Sequence, residues 1–353
     1  MAFAIGLLVL VHIFIVLLHF RIIIVSDEPQ VPCYFIFGDS LVDSGNNNQL
    51  LTKWKANYPP YGIDFPEGAT GRFSNGRTSA DIIGGFLGFD KFIPSYASAT
   101  DEQISKGINY ASGGAGIREE TGSHMGDRIS LDRQLLHHNS AISRLMLLQE
   151  DITFLEECIY LVNIGSNDYI NNYLLPDNYN TSHKYTADQY AEVLIQQYSQ
   201  QLETLYDLGG RKVAVFGLTQ IGCTPLEVNK FGSNGKPCVE SVNDAINFFN
   251  DRIKPLVDEL NDDNSDARFT FINVTSILYP QGDLSLRTNP CCELVDDWAC
   301  IPNSVPCSIR SLSTFFDALH PTELSNVGIA TRSYNKLLPT DAYPYDIHSL
   351  ARL

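Results

Sequence analysis

Basic residues are scarce in this sequence. Its 353 residues include 24 Lys and Arg against 41 Asp and Glu, which gives a formal net charge of −17, and the basic residues form no cluster. A field of this sign repels phosphate backbones and anionic membranes, so we expect no nucleic-acid partner. The chain is not a disordered one, because 44% of its residues are hydrophobic and only 18% are charged.

Several motifs of common enzyme classes are missing. No G-x-S-x-G occurs, which removes the usual nucleophile elbow of α/β-hydrolases, and neither H-E-x-x-H nor any other histidine spacing supports a catalytic metal. The glycine-rich stretch 109–116 lacks the G-x-G-x-x-G pattern of dinucleotide sites and the lysine of a P-loop. We therefore expect neither a metal nor a cofactor.

The N-terminus is apolar. Residues 2–20 form an almost unbroken apolar run, and the composition turns polar near Ser26. The position and the small-residue exit favour a secretory signal peptide over residues 1–26, with an uncleaved anchor as the alternative because the basic n-region is missing. On the secretory route, Asn180 and Asn273 head sequons and would accept glycans. We expect a secreted protein without stable membrane association after cleavage.

The cysteines agree with an oxidising compartment. Four of the eight lie within 17 residues near the C-terminus: Cys291, Cys292, Cys300 and Cys307. Zinc is disfavoured there because two of the four are adjacent and no histidine lies among them, so we expect disulfides, whose pairing stays open. Cys223 and Cys238 are expected to close a separate loop. Cys33 and Cys158 lie in apolar strand patterns, which favours plain buried residues over a bridge.

Short apolar runs alternate with longer amphipathic segments along residues 27–353. The predicted strands, apolar enough to be buried on both faces, are 33–37, 159–164, 213–217 and 269–273. The predicted helices are 78–87, 131–149, 187–208 and 241–260. This order predicts an α/β three-layer sandwich with a central parallel sheet, and the absence of any linker predicts a single domain. Ligands of such folds collect at the carboxyl ends of the strands.

Polar residues follow the predicted strands. The first strand leads to Ser40, whose hydroxyl would meet the N–H groups of a helix start, or which would simply cap that helix. The second leads to Asn167, an oxyanion donor or an Asx-turn residue. Asp317 and His320 share a face if they lie on a helical turn, so that the carboxylate can orient an imidazole base. The glycine run 109–116 offers backbone N–H groups to a ligand, or makes a tight turn.

Taken together, these motifs make the sequence resemble the plant-type GDSL esterase/lipase family of the SGNH hydrolase superfamily. The resemblance covers residues 32–347 and includes the segments FIFGDSLVDSGNNN, PYGIDF, TGRFSNGR, GINYASGGAGI and AYPYDI. It implies a flavodoxin-like fold, with Ser40 as the nucleophile, His320 as the base and Asp317 as its orienting group. It further implies an oxyanion hole made by the N–H groups of Ser40 and Gly114 and the side-chain amide of Asn167. Asn46 to Asn48 would be polar scaffolding beside the nucleophile.

The leading interpretation is a secreted carboxylic ester hydrolase that works through an acyl-serine intermediate. Its substrate would be a small-molecule, lipid or polysaccharide ester, and we expect a monomer in the cell wall or apoplast. Acyl transfer at the same site and non-catalytic binding of cell-wall carbohydrate are the alternatives. Two departures from the family pattern stand out: Phe316 replaces a tryptophan before Asp317, and the segment 269–291 looks short.

Overall fold

The computed structural model describes residues 28–148, 151–279 and 289–353. The predicted signal peptide lies outside these residues, as does the stretch 280–288 of the segment that looks short. Within the described ranges, no helix combines the length and the apolar character needed to cross a bilayer.

One five-stranded sheet forms the centre of the structure. Its strands are β1 (Tyr34–Gly38), β2 (Ile159–Asn163), β3 (Lys212–Phe216) and β4 (Arg268–Ile272), which pair in parallel in that order. A two-stranded antiparallel hairpin consists of β5 (Leu294–Val295) and β6 (Ala299–Cys300), and β7 (Ala342–Tyr343) joins the edge of the main sheet antiparallel to β4. The four parallel strands lie where the sequence predicts them, whereas the two-residue strand β7 carries no periodic signal and was not predicted.

The α-helices cover both faces of this sheet. In the described residues they are α1 (Ser79–Phe86), α2 (Asp101–Ile104), α3 (Leu131–Leu148), α4 (Ser166–Asp168), α5 (Thr181–Lys184), α6 (Ala187–Asp207), α7 (Pro225–Phe231), α8 (Glu240–Asp263), α9 (Val274–Leu278), α10 (Glu323–Tyr334) and α11 (Ile347–Ala351). The four predicted helices correspond to α1, α3, α6 and α8.

Local sequence sets the ends of these helices. Thr78 caps α1, because its hydroxyl accepts from the Asp81 N–H at 3.2 Å while the Asp81 carboxylate accepts from the Thr78 N–H at 2.8 Å. Thr186 and Gln189 make the same reciprocal cap at the start of α6. After α6 the chain passes through Gly209 with a φ of 98°, a conformation that glycine adopts without strain.

Alternate residues of each strand face opposite layers of the core. Phe35 and Phe37 of β1 pack with residues of α3, α6 and α8 in the larger apolar cluster. Tyr34 and Ile36 face the other way and pack with residues of α1, α10 and α11. Strands buried on both faces by helices confirm the predicted three-layer α/β sandwich.

The segment before the glycine run lies along the free edge of β1. Backbone hydrogen bonds link Tyr34 N–H to Lys106 C=O at 3.1 Å, Ile36 N–H to Ile108 C=O at 3.0 Å, and Tyr110 N–H to Ile36 C=O at 2.7 Å. The segment and β1 run parallel there. Residues 113–116, the end of the glycine run, therefore leave the edge of the sheet beside the exit of β1.

All eight cysteines form disulfides, and one pair corrects a prediction. Cys33 is bonded to Cys158, although both were expected to be plain buried residues. The reason is register: Tyr34 pairs with Ile159, so the residues that precede β1 and β2 face each other, with a Cα–Cα distance of 4.8 Å. Cys223–Cys238 forms as predicted. The crowded cysteines pair as Cys291–Cys307 and Cys292–Cys300.

Replacing both cysteines of the Cys33–Cys158 pair by alanine is expected to lower the free energy of unfolding by about 2–5 kcal/mol, because the bond spans a sequence separation of 125. The matched control is the double alanine variant of Cys223–Cys238, whose separation of 15 predicts a smaller loss. Urea unfolding without reductant measures both. A larger loss in the control would contradict the loop-closure argument.

Glu227 of α7 is a buried carboxyl group without a hydrogen-bond partner among the described residues. The residue is fully buried, and neither side-chain oxygen is paired. Burial raises the pKa of Glu227 to about 7, against the opposing charge of Lys230. The folded state therefore holds the Glu227 proton more tightly than the unfolded state does. The contribution of this proton to the free energy of unfolding is complete at low pH and is lost as the pH rises toward 7.

Glu227→Gln is expected to flatten the pH dependence of stability. Wild type should lose on the order of 2 kcal/mol more than the variant between about pH 5 and pH 8, because only wild type must ionise the buried carboxyl group of residue 227. Urea unfolding across this range measures the difference, and other titrating groups are shared by both proteins. Parallel curves for the two proteins would show that Glu227 is not ionised in this range.

Candidate active site

Ser40 lies on a tight turn at the exit of β1. The Asp39 C=O accepts from the N–H groups of Val42 at 3.3 Å and Asp43 at 3.0 Å, and the first helical segment, the 3₁₀ turn Asn46–Gln49, comes later. The expected helix start after Ser40 is therefore wrong. Gly38 is required before the turn, because a Cβ there would lie 2.4 Å from the Asn163 carbonyl oxygen.

The structure brings Ser40, His320 and Asp317 into one hydrogen-bonded row. The Ser40 Oγ lies 2.8 Å from His320 Nε2, and His320 Nδ1 lies 2.7 Å from Asp317 Oδ2. All three residues are buried, with 9%, 3% and 0% of their surface exposed. A histidine held by a carboxylate on one nitrogen and facing a hydroxyl with the other is arranged to accept the hydroxyl proton.

Asp317 and His320 converge through a non-helical turn. The Asp317 Oδ1 accepts from the N–H groups of Leu319 at 2.8 Å and His320 at 2.7 Å, while the Phe316 N–H donates to the His320 C=O at 2.8 Å. The predicted convergence is present, but the predicted helical turn is wrong, because the carboxylate itself closes the loop. The Phe73 ring lies 4.8 Å from the imidazole and limits its movement.

Asn167 lies in α4, directly after the exit of β2. One N–H of its side-chain amide donates to the Ala115 C=O at 2.9 Å, and its Oδ1 accepts from the Asn171 amide at 2.6 Å. These bonds fix the amide plane. The amide nitrogen has two hydrogens, so one N–H remains for a ligand.

The glycine run offers the backbone N–H of Gly114 as a donor. The Gly113 N–H is occupied, because it donates to Asp43 Oδ2 at 2.9 Å. Among the described residues, no acceptor meets the N–H of Gly114 or of Ser40. Gly114 has a φ of 78°, and a Cβ there would lie 2.5 Å from the Trp54 ring. Any other side chain at Gly114 would displace that ring.

Asn46, Asn47 and Asp43 tie the nucleophile turn to the glycine run. The Asn46 amide donates to the carbonyl groups of residues 109 and 111, and the Asn47 amide donates to those of residues 54 and 113. The Asp43 carboxylate accepts from the N–H groups of residues 45, 46 and 113. The predicted polar scaffolding is confirmed for Asn46 and Asn47, whereas Asp43 was not predicted, and the amide of Asn48 donates to the Thr70 C=O at 2.8 Å.

Three buried aspartates surround this turn. Burial raises the pKa of Asp39 to about 7 and the pKa values of Asp43 and Asp168 to about 6 each. Hydrogen bonds from backbone N–H groups to each carboxylate lower these pKa values, but burial has the larger effect. The Oδ2 of Asp39 has no hydrogen-bond partner among the described residues.

Two cavities border the turn that carries His320, and Leu319 lines both. One is an open cleft of about 680 Å³ whose walls include Trp54, Asn171 and Trp298. The other is a small apolar cavity of about 50 Å³ behind Leu41.

Several residues of the site carried no recognised signal in the sequence. The Tyr61 hydroxyl donates to Asp317 Oδ2 at 2.6 Å, and the Gln134 side chain bonds both the N–H and the C=O of Gly38. Tyr61 belongs to the segment PYGIDF, which supports the family resemblance without revealing a role. Gln134 lies within the amphipathic pattern of α3, where a buried polar residue has no distinguishing spacing.

Comparison with known proteins identifies the family. The chain matches the family model described as GDSL-like Lipase/Acylhydrolase over residues 34–332. GDSL esterase/lipase At1g29660 of Arabidopsis thaliana is 46% identical over 342 residues, covering 93% of this chain and 94% of the relative. GDSL esterase/lipase At1g29670 of the same plant is 44% identical over 353 residues, covering 95% of each chain.

Among solved structures, a member of the lipolytic protein G-D-S-L family from Veillonella parvula aligns with a TM-score of 0.41 at 10% identity, over 86% of this chain and 97% of that chain, and no conclusion rests on this likeness. The family match and the plant relatives both span nearly the whole chain. The chain therefore belongs to the GDSL esterase/lipase family and is a carboxylic ester hydrolase.

Proposed function

We propose that this protein is a secreted serine esterase in which Ser40, His320 and Asp317 hydrolyse a carboxylic ester through an acyl-serine intermediate. The observation that carries the proposal is the continuous row from Ser40 Oγ through the imidazole to the Asp317 carboxylate, with distances of 2.8 and 2.7 Å. A chain kept only for carbohydrate binding has no need of this row. The intact geometry therefore favours catalysis over the binding alternative.

In the first half-reaction, Ser40 Oγ attacks the ester carbonyl carbon while its proton passes to His320 Nε2. Asp317 holds the other ring nitrogen and stabilises the imidazolium that forms. The tetrahedral intermediate then breaks its bond to the alcohol oxygen, which receives the proton from Nε2. The products of this step are the free alcohol and the acyl ester of Ser40.

In the second half-reaction, a water molecule gives a proton to His320 Nε2 and attacks the acyl carbon. The bond to Ser40 Oγ breaks, and the serine oxygen recovers the proton from the imidazolium. The carboxylic acid leaves, and the enzyme returns to its starting state. An alcohol in place of water would give acyl transfer with the same residues.

The oxyanion of each tetrahedral intermediate is held by the N–H groups of Ser40 and Gly114 and by the Asn167 amide. Support comes from the two unoccupied backbone N–H groups and the single free hydrogen of the Asn167 amide. Donors fixed before the reaction act only on the charge that develops in the transition state.

Several further features of the protein belong to the same proposal. We infer that residues 1–26 are a cleaved signal peptide and that residues 27–353 form one hydrolase domain, which acts as an extracellular monomer in the cell wall or apoplast. Four disulfides support an oxidising destination.

Asn180 is exposed and accessible to a glycan, whereas Asn273 is partly buried and its Oδ1 caps α9.

Ser40→Ala is expected to lower kcat for a short-chain p-nitrophenyl ester by at least about a thousandfold, because the acyl acceptor is lost. The burst of p-nitrophenol that we expect from wild type should be absent. Ser44→Ala is the matched control, since Ser44 lies on the same loop and its hydroxyl has no partner among the described residues. Equal activity of wild type and Ser40→Ala would exclude the proposed mechanism.

Asn167→Ala is expected to lower kcat about a hundred- to a thousandfold while KM changes little, because the lost donor acts on the transition state. Steady-state kinetics on the same ester measures both constants. Asn229→Ala is the control, because Asn229 lines the neighbouring cleft but lies outside the hydrogen-bonded row. A change confined to KM in Asn167→Ala would mean that the residue binds substrate rather than the oxyanion.

A further inference from the structure

Tyr61 is buried against the carboxylate that orients the base. Only 1% of its surface is exposed, and its hydroxyl donates to Asp317 Oδ2 at 2.6 Å, the oxygen that also faces His320 Nδ1. Burial beside Asp317 raises the pKa of Tyr61 well above its ordinary value, so the hydroxyl keeps its proton and remains a donor.

The Tyr61 hydroxyl is itself held by the disulfide-linked hairpin. It accepts from the Cys300 N–H at 3.2 Å, and Cys300 in β6 is bonded to Cys292. The N–H groups of Cys291 and Cys292 donate to the Phe316 C=O at 2.9 and 3.2 Å. The hairpin therefore anchors the turn before Asp317 through the backbone and Asp317 itself through Tyr61.

The Tyr61 ring has little freedom to move. It makes edge contacts with the rings of Tyr58, Phe73 and Phe316, at centroid distances of 5.4, 6.1 and 5.7 Å. Phe73 in turn lies against the His320 ring. Because the aromatic packing fixes the ring, the hydroxyl occupies a defined point beside the carboxylate.

We propose that Tyr61 is a positioning residue for the base: its hydroxyl fixes Asp317 Oδ2 toward His320 and takes up part of the carboxylate charge. The inference rests on the proposed function, and it assigns the hairpin β5–β6 a part in holding the catalytic turn. Asp317 Oδ2 has two donors, Tyr61 and His320. Without the Tyr61 hydroxyl, Oδ1 is still held by the N–H groups of Leu319 and His320, but the charge of Oδ2 acts on the imidazole alone.

Removal of the hydroxyl should change the pH dependence of catalysis in a defined direction. A less stabilised carboxylate attracts a proton on His320 more strongly, so the imidazole should be deprotonated only at higher pH. The other ionisable groups that face this pair are Asp39 from the β1 exit and Tyr58 beside Tyr61. Both remain in a Tyr61 variant, so their effect cancels in a comparison with wild type.

The test is Tyr61→Phe, with Tyr58→Phe as the matched control. Both hydroxyls bond the backbone of Cys300, because Tyr58 donates to the Cys300 C=O at 3.1 Å, but only the Tyr61 hydroxyl reaches Asp317. For Tyr61→Phe we expect kcat to fall roughly three- to tenfold with KM little changed, since one hydrogen bond to a charged group is lost. The acid limb of kcat/KM against pH should move to higher pH, and the His320 Nδ1 proton resonance should shift.

Tyr58→Phe should leave the acid limb and the resonance in their wild-type positions. An acid limb of Tyr61→Phe that coincides with that of wild type, or equal changes in the two variants, would reduce Tyr61 to a packing residue and overturn the inference. Thermal unfolding of both variants separates a loss of stability from a loss of positioning. Failure of the esterase mechanism itself is recognised separately, because Ser40→Ala would then be as active as wild type.

Discussion

The hydrogen bond between Ser40 Oγ and His320 Nε2 joins residues that lie 280 positions apart in the chain. Neither partner is held by its own neighbours in sequence alone. Ser40 is placed by the exit of β1, whose position depends on pairing with β2 and with the segment 106–112. His320 is placed by a turn that rests on the disulfide-linked hairpin. The distance of 2.8 Å therefore depends on two independent pieces of scaffold that meet at one point.

The order of the parallel strands supplies the first scaffold. Because parallel strands end at the same edge of the sheet, the exits of β1 and β2 lie side by side and bring Ser40 and Asn167 to the same level. The register Gly38 opposite Asn163 fixes that level. The edge segment beside β1 then adds the glycine run on the other flank, where Gly113 bonds Asp43 and Ala115 bonds Asn167, so three distant stretches of the chain meet at one place.

The sequence predicted the repeated features of the fold because they follow from periodicity. Apolar runs located β1 to β4, and amphipathic patterns located α1, α3, α6 and α8. Periodicity carries no information on register, so the Cys33–Cys158 bond was missed. Periodicity also carries no information on irregular backbone, so the predicted conformations of the turns at Ser40 and Asp317 are wrong. For the same reason the candidate site residues rest on family resemblance: Ser40, Gly114, Asn167, Asp317 and His320. Tyr61 and Gln134 act through contacts that only the folded chain creates.

The buried loops of the site place a strict demand on backbone hydrogen bonds. Irregular backbone shielded from water needs partners for its N–H groups, and here carboxylates supply many of them. Asp43 accepts from three N–H groups, and Asp168 accepts from the N–H groups of Ile117 and Arg118 and from the Thr121 hydroxyl. The cost appears in their pKa values, which burial raises to about 6.

Against this background, the N–H groups of Ser40 and Gly114 stand out, because neither meets an acceptor in the part of the chain that the structure describes. A buried donor without an acceptor costs roughly 1–3 kcal/mol, a cost that the surrounding loops avoid through their carboxylate partners. In the proposed reaction, the same donors would gain an acceptor when negative charge forms on the ester oxygen, so this cost would be relieved at the transition state.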